Sequence, residues 1–471
     1  MNIISALSIL TILLIAGCAE LEPSNDPYDD VYSQAPYGET SDDKQVFTGD
    51  PRKELGRQFL LAAANEFKFV NDPDVVSLVN HVGRSLVLAA NSNPDYYHFF
   101  IVRKNQLNAF AVPGGYIFIY DGLLKNMKSV DELAGVLAHE IAHVERDHYL
   151  KDSKKTTLAD FATLAGIIAG ISSGNPDASI AITSGANLSY KLKLSREHET
   201  EADVSALKYL SRTDYKPAGL ASFFKTLSLY ERLNSGDAMP PYLSTHPGIT
   251  DRQGILESMT RNIPDKPAHE TEGRWDWDRI INILRAADKD GALIKGSDEN
   301  AKKHYLKGLY AFKSYDLKTA LAEYKEAIRI NPDNHIYHAD LAMLYMQMQH
   351  YDYAKEEALI SAGLSEENPA PFIVLGMAAK NAMDYKEAVK YFSKAADINQ
   401  YDPFIRYHLA GSSYAQKMTT KGRYELGHFY RLSLSPERAL MQFRMALKET
   451  NNPDLAIKIK EEIDRLMREG I

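Results

Sequence analysis

From residue 300 onward the chain repeats itself every 34 residues, and this period restricts its fold more than any other feature. Gly308, Ala342 and Gly376 are spaced by 34, as are Ala320, Ala354 and Ala388, then Tyr324, Ala358 and Phe392, and then Ala327, Ser361 and Ala395. Thirty-four residues hold two helices and their turns, and small residues at fixed places let the paired helices approach closely. A single unit cannot bury its apolar face alone, so the units must stack, and residues 300–471 are expected to form an all-α array. A fourth copy should carry its second-helix Ala at position 422, yet the matching set Ala439, Phe443 and Ala446 falls 17 residues later. The spacing predicts an insertion, including Lys421–Leu432, that forms a loop or an extended helix.

The unit resembles the tetratricopeptide repeat, which implies a concave surface for peptides or partner proteins rather than a catalytic centre. With 471 residues, the chain has room for at least one further domain. Hydrophobic residues make up 45% and charged residues 25%, which excludes wholesale disorder and a polytopic membrane protein. The net charge of −9 gives no basic excess, so a nucleic-acid partner is not expected. The charge is also localised: residues 19–50 hold nine acids against Lys44 alone, leaving the remainder nearly neutral. That segment, with Pro23, Pro27, Pro36 and no apolar periodicity, reads as an acidic flexible tether.

The one cysteine, Cys18, follows an uncharged apolar run from Ile3 to Ala16 that is too short to span a bilayer and suits a secretory signal. Leu14-Ile15-Ala16-Gly17-Cys18 resembles the bacterial lipoprotein signal, although no Lys or Arg precedes the apolar run. The resemblance implies cleavage of the signal segment 1–18 immediately before its cysteine, lipidation of Cys18 and a periplasmic protein held to a membrane. Ala19 after the cysteine implies the outer membrane.

Residues 51–262 read as a mixed α+β domain that is mostly helical. Helical spacing covers 52–68 and 73–91, strands are expected at 97–102, 109–112 and 116–120, and Pro113-Gly114-Gly115 turns the last two into a hairpin. Residues 158–171 are apolar but short, and read as a buried helix. The chemistry lies in His139-Glu140-Ile141-Ala142-His143. On a helix, positions i and i+4 share a face, so both imidazoles can reach one zinc ion while Glu140 acts on the attacking water. Ser129 and Glu132 suggest a capping box for that helix, with Leu133, Val136, Leu137, Ile141 and Val144 as its apolar positions.

A third ligand must come from elsewhere. Arg146 and Tyr149 stand where a metzincin needs Gly and His, and His148 is one residue out of register, which leaves it a structural residue along with Trp275 and Trp277. The segment Ser195–Asp203 offers acids, and helical geometry selects among them. Glu199 and Asp203 continue a stripe with Ala206 and Leu210 that faces the core, whereas Glu201 shares a face with Ser205 and Lys208 that suits solvent. Glu199 is therefore the expected zinc ligand, and Asp203 the acceptor that orients a ligating histidine.

HExxH, then Ser-Arg-x-x-Glu-x-x-Ala-Asp, then Ser244-Thr245-His246-Pro247, with Asn108–Gly115 upstream, resembles the HtpX/BepA branch of the metallopeptidases related to CAAX prenyl proteases. The resemblance covers about residues 51–260. It implies one Zn2+ per chain held by His139, His143 and Glu199, with Glu140 as general base and acid. It implies that His246 lies near the metal, either stabilising the oxyanion or serving as a removable fourth ligand. Arg252 falls where relatives carry an arginine, and either supports the site or makes a surface ion pair. Asn108, Phe110 and Gly114 either contact substrate or support the fold. Substrate is expected to pair in extended form with the edge of the Ala109–Val112 or Tyr116–Tyr120 strand, unless that hairpin is only structural. Residues 263–299 read as a linker region with a short amphipathic stretch at Ile280–Ala286.

The whole is expected to be a zinc metalloendopeptidase of the bacterial envelope acting on misfolded or stalled proteins. The repeats would recruit substrate or partners such as the outer-membrane assembly machinery. The competing expectation is a chaperone or assembly scaffold whose peptidase site is mostly closed.

Overall fold

The computed structural model describes residues 50–148, 196–233, 241–261, 263, 275–289, 291, 301–433 and 435–468. Cys18 with its signal, residues 19–49 and the helix expected at 158–171 lie outside them. The N-terminal part begins with two helices that each start at an aspartate followed by proline. In α1 (Pro51–Glu66) the Asp50 side chain accepts from Arg52 N. In α2 (Pro73–Ala89) Asp72 accepts from the N–H groups of Asp74 and Val75. Both are N-caps that satisfy otherwise orphaned donors, and proline at the first helical position loses nothing there. Val75, Leu78, Val79, Val82 and Leu86 form the buried stripe of α2.

Three strands follow: β1 (His98–Val102), β2 (Ala109–Val112) and β3 (Tyr116–Tyr120). Their order in the sheet is β1-β3-β2, with β1 parallel and β2 antiparallel to β3. The hairpin turns on Gly114 and Gly115, at φ of 88° and 84°, a region that side chains with a Cβ rarely adopt. The short α3 (Asp121–Asn126) leads into α4 (Val130–Glu145), the helix that carries the HExxH motif. Every residue of α4 from Val130 to His143 is buried, so it is the central rod of the domain. Its start departs from the expected capping box. Ser129 makes no side-chain cap bond. Glu132 instead accepts from Lys128 N and from Ser222 Oγ, because burial gives its carboxylate partners from two elements.

Helices α5 (Arg196–Leu210) and α6 (Ala218–Leu233) pack on α4, followed by α7 (Pro241–Thr245) and α8 (Ile249–Thr260). Within the expected linker region the chain forms α9 (Trp277–Asp288), whose Trp277, Ile280, Ile281, Ile283 and Leu284 are buried in the common core. An amphipathic helix beside two apolar surfaces gains more from burial than from remaining a tether. Trp277 Nε1 donates to Met127 O, and Trp275 packs against His81.

The remainder is all helical: α10 (Ala301–Lys313), α11 (Leu317–Ile330), α12 (His335–Gln347), α13 (Tyr351–Leu364), α14 (Ala370–Asn381), α15 (Tyr385–Ile398), α16 (Pro403–Ala415), α17 (Thr419–Leu432), α18 (Pro436–Glu449) and α19 (Pro453–Arg468). The 34-residue sets mark close approaches, since a methyl group added at Gly376 would sit 2.8 Å from the Phe392 ring. The 17-residue displacement is not an insertion. It is half a period, one helix: α17 packs on both α16 and α18 and presents Gly427 to Phe443 as Gly376 is presented to Phe392. The half-period step therefore shifts the pattern without breaking the stack of ten helices. No helix among the described residues is long and apolar enough to cross a membrane.

Candidate metal centre

The site assembles where α4, α5 and α7 meet. His139, His143, Glu199 and His246 are all fully buried, and one ligand atom from each lies within 4.8 Å of the others. His139 Nε2 is 2.9 Å from His143 Nε2 and 3.3 Å from His246 Nδ1. Glu199 oxygens lie 3.1 Å from His246 Nδ1, 3.4 Å from His139 Nε2 and 3.5 Å from His143 Nε2. Tetrahedral ligands about 2.0–2.2 Å from a zinc ion are about 3.3–3.6 Å apart, so the donor set fits such an ion with small adjustments. Three imidazoles and a carboxylate packed this tightly in a dry interior otherwise compete for too few protons.

The rear of each histidine is held. His139 Nδ1 lies 3.0 Å from Asp203 Oδ1. His143 Nδ1 lies 2.9 Å from Nδ1 of His148, whose Nε2 is 3.1 Å from Glu201 Oε2. His148 is thus a buried partner of the motif histidine rather than a remote structural residue. Glu201, expected to face solvent, reaches back to it. Past the end of α4 the chain turns through Asp147 at φ 51°, which returns His148 to the face that carries His143.

Arg252 lies in the site and makes no surface pair: it is 4% exposed, and its Nε and Nη2 donate to the two Asp203 oxygens at 2.8 and 2.7 Å. Its Nη1 donates to Glu199, and its guanidinium lies over the Phe224 ring. Burial alone would raise the Glu199 and Asp203 carboxyls. The nearby histidines overcome this for Glu199, and Arg252 with His139 does so for Asp203, holding both below their usual range. Burial likewise pulls His139 down, but Asp203 and Glu199 reverse that and raise it to about 9.

Glu140 is different in kind. It is fully buried, neither oxygen has a hydrogen-bond partner among the described residues, and burial raises its carboxyl against the pull of His246 and His139. His246 Nε2 approaches it at 3.5 Å, and the ring of Tyr242, one turn earlier on α7, stacks on His246 at 4.5 Å. Tyr242 was missed in the sequence, where only its i, i+4 spacing to His246 could have marked it.

Of the two strands expected to offer an edge, Tyr116–Tyr120 lies in the middle of the sheet and has none to offer. β2 is an edge among the described residues. Tyr120 N donates to Asn108 O, so by antiparallel alternation Phe110 and Val112 also bond to β3, and the main-chain groups of Ala109 and Ala111 point outward. The Ala111 N–H is close enough to lower the Glu140 pKa slightly. Asn108 is buried at the start of this strand. Phe110 packs with Phe59 and Phe118 in a separate apolar cluster, and Gly114 sits in the turn against α1, both as supports of the fold.

Known proteins resemble this chain over part of its length. A Vibrio cholerae protein provisionally named as a beta-barrel assembly-enhancing protease is 27% identical over 346 residues, covering 70% of this chain and 69% of that protein. The beta-barrel assembly-enhancing protease of Escherichia coli is 27% identical over 199 residues, 41% of this chain and 40% of that one, so the match spans about two fifths of that relative's length. The mitochondrial metalloendopeptidase OMA1 of Saccharomyces cerevisiae is 31% identical over 33% of this chain and 44% of its own. Among solved structures, the tetratricopeptide protein YrrB aligns with 34% of this chain and 92% of its own at 19% identity, with a TM-score of 0.24. Residues 73–260, which contain the whole donor set, match peptidase family M48, and the chain carries a metallopeptidase domain of that family.

Proposed function

We propose that this protein is a zinc-dependent endopeptidase of the bacterial envelope, tethered through a lipidated Cys18 to the outer membrane and acting on misfolded or stalled proteins. The observation that carries the reading is the close convergence of four buried donors beside a buried Glu140 whose oxygens accept no hydrogen bond from the described side chains. His139, His143 and Glu199 hold the metal, with Asp203, Arg252 and His148 fixing their orientation. Zinc, when bound, would polarise the scissile carbonyl and lower the pKa of water.

Glu140, with its raised pKa, takes the proton of the attacking water and returns it to the leaving amine. Substrate lies extended along β2, pairing with the outward groups of Ala109 and Ala111, which brings a peptide bond beside Glu140. Such pairing makes little demand on sequence and suits unfolded chains. The repeats recruit substrates or envelope partners, a reading that fits relatives known as beta-barrel assembly-enhancing proteases.

A second reading has its own support. His246 Nδ1 lies 3.3 Å from His139 Nε2 and 3.1 Å from Glu199 Oε1, where it would serve as a fourth ligand at the position a catalytic zinc site keeps open. The resting site is then closed, and the protein in that state acts as an assembly scaffold until α7 withdraws His246. The test is cleavage of an unfolded protein by the zinc-loaded full chain, by Glu140→Gln and by His246→Ala. Glu140→Gln should keep its metal and lose about 10²–10⁴-fold in rate. Equal rates in the two proteins would end the peptidase reading, and a faster His246→Ala would establish the closed resting state.

A further inference from the structure

His246 stands just past the end of α7, and Tyr242 ties that short helix down in two ways. Its ring is gripped between the imidazole of His246, stacked at 4.5 Å, and the ring of Phe223, edge-on at 5.8 Å. Its N–H donates to Leu107 O at 3.2 Å. His246 N donates in turn to Tyr242 O, and Thr245 Oγ1 donates to Pro241 O, so residues 241–246 form one hydrogen-bonded unit that moves together.

The direction of Leu107 O gives the bond its meaning. Tyr120 N donates to Asn108 O, so Asn108 faces β3 and, by antiparallel alternation, Leu107 faces the free edge together with Ala109 and Ala111. Leu107 O therefore lies in the row of main-chain groups along which substrate pairs, and α7 already holds it. From Leu107 to Ala111 the row is about 13 Å long at roughly 3.3 Å per residue, the reach of about five extended residues.

The Tyr242 hydroxyl adds an independent observation. It is fully buried and Oη has no hydrogen-bond partner among the described residues, although Glu140, Arg252, Glu199 and Asp203 lie near enough to act on it through their charges. A buried hydroxyl without a partner carries a free-energy cost that contact with water removes. The closed position of α7 is thus held by the stack and by the bond to Leu107 against a standing penalty.

We propose that Tyr242 is the positioning residue through which substrate controls His246. An extended segment long enough to pair with Leu107 as well as Ala109 and Ala111 takes Leu107 O from Tyr242 N, and α7 then carries His246 away from the fourth metal position. The proposal rests on the closed resting state described above. It makes the length of the extended segment, rather than its side chains, the feature that opens the site.

The experiment uses two internally quenched peptides of one repeating Ala-Thr-Val sequence: a short one of about four residues, which cannot reach Leu107 while lying beside Ala111, and a long one of about twelve. kcat and KM are measured for the zinc-loaded full chain, for His246→Ala, for Tyr242→Phe and for the double variant. The long-to-short ratio of kcat should be about tenfold or more higher in the wild type than in His246→Ala. Tyr242→Phe keeps the ring and the main-chain donor but removes the orphaned hydroxyl. It should hold His246 more firmly, lowering kcat for the long peptide about fivefold or more with KM and zinc content unchanged, and this loss should vanish in the double variant. The comparison of peptide lengths leaves Tyr242 untouched, so it decides the matter even where Tyr242→Phe fails to fold. The same length ratio in the wild type and in a faster His246→Ala would leave the closed state standing and overturn control by substrate. An unchanged kcat in Tyr242→Phe, or a loss that persists in the double variant, would overturn the role of Tyr242. His246→Ala no faster than the wild type on the short peptide would end the closed-state reading itself, and the proposal with it.

Discussion

Two of the buried charged clusters among the described residues are built on opposite terms. At the joint between the peptidase domain and the repeats, Arg279 of α9 donates to Tyr305 Oη at 2.6 Å, to Asp74 of α2 at 2.7 Å and to Asp340 of α12 at 3.2 Å. Tyr305 in turn donates to Asp340. Every charge there is answered. At the metal centre three imidazoles and a carboxylate turn ligand atoms toward one point, and among the described residues neither Glu140 oxygen accepts a side-chain hydrogen bond, His246 Nε2 standing off at 3.5 Å. A buried polar group left unanswered costs free energy, so such an arrangement persists where something else completes it. The first cluster is a clasp and the second a receptacle.

Substitutions can break this contrast. His139→Ala should have the largest effect, removing bound zinc and with it all cleavage, read by metal analysis of the purified chain. Arg279→Met should leave zinc in place but destabilise the fold by about 3–5 kcal/mol, because Asp74 and Asp340 lose their cation in the interior; thermal melting of the metal-loaded protein reads this. His148→Ala should weaken zinc about 10–100-fold without unfolding the domain, measured by competition with a chromogenic chelator. Gly427→Ala should cost about 1–3 kcal/mol by forcing α17 off Phe443, while Ala at exposed Gly363 should not.

The smallest effect is on pH dependence. In the metal-free protein His139 is raised from 6.5 to about 9, so its proton stabilises the fold fully below pH 6.5, and this contribution is lost as pH rises through about 9. Melting temperature should therefore fall between those limits without metal. With zinc in place of the proton, the fall should vanish.

Much of this was legible in the sequence, for reasons that differ by region. Local periodicity reported the 34-residue sets and the HExxH face directly, and the apolar stripe of α5 selected Glu199 and Asp203 over Glu197 and Glu201. What sequence could not carry were contacts set by chain reversal. His148 reaches His143 only because the chain turns at Asp147, and Arg252 is committed to Asp203 and Glu199 only once α8 folds back on α6. The half-period shift at α17 looked like an insertion because a repeat count assumes whole units, whereas stacking requires only that each helix find a neighbour.

The most direct test of the contrast is calorimetric titration of the metal-free full chain with zinc, run beside His139→Ala with His143→Ala and beside Arg279→Met. The account predicts one tight site in the wild type and in Arg279→Met, and none in the histidine variant. Zinc binding that survives loss of both histidines, or no stoichiometric binding in the wild type, would contradict it.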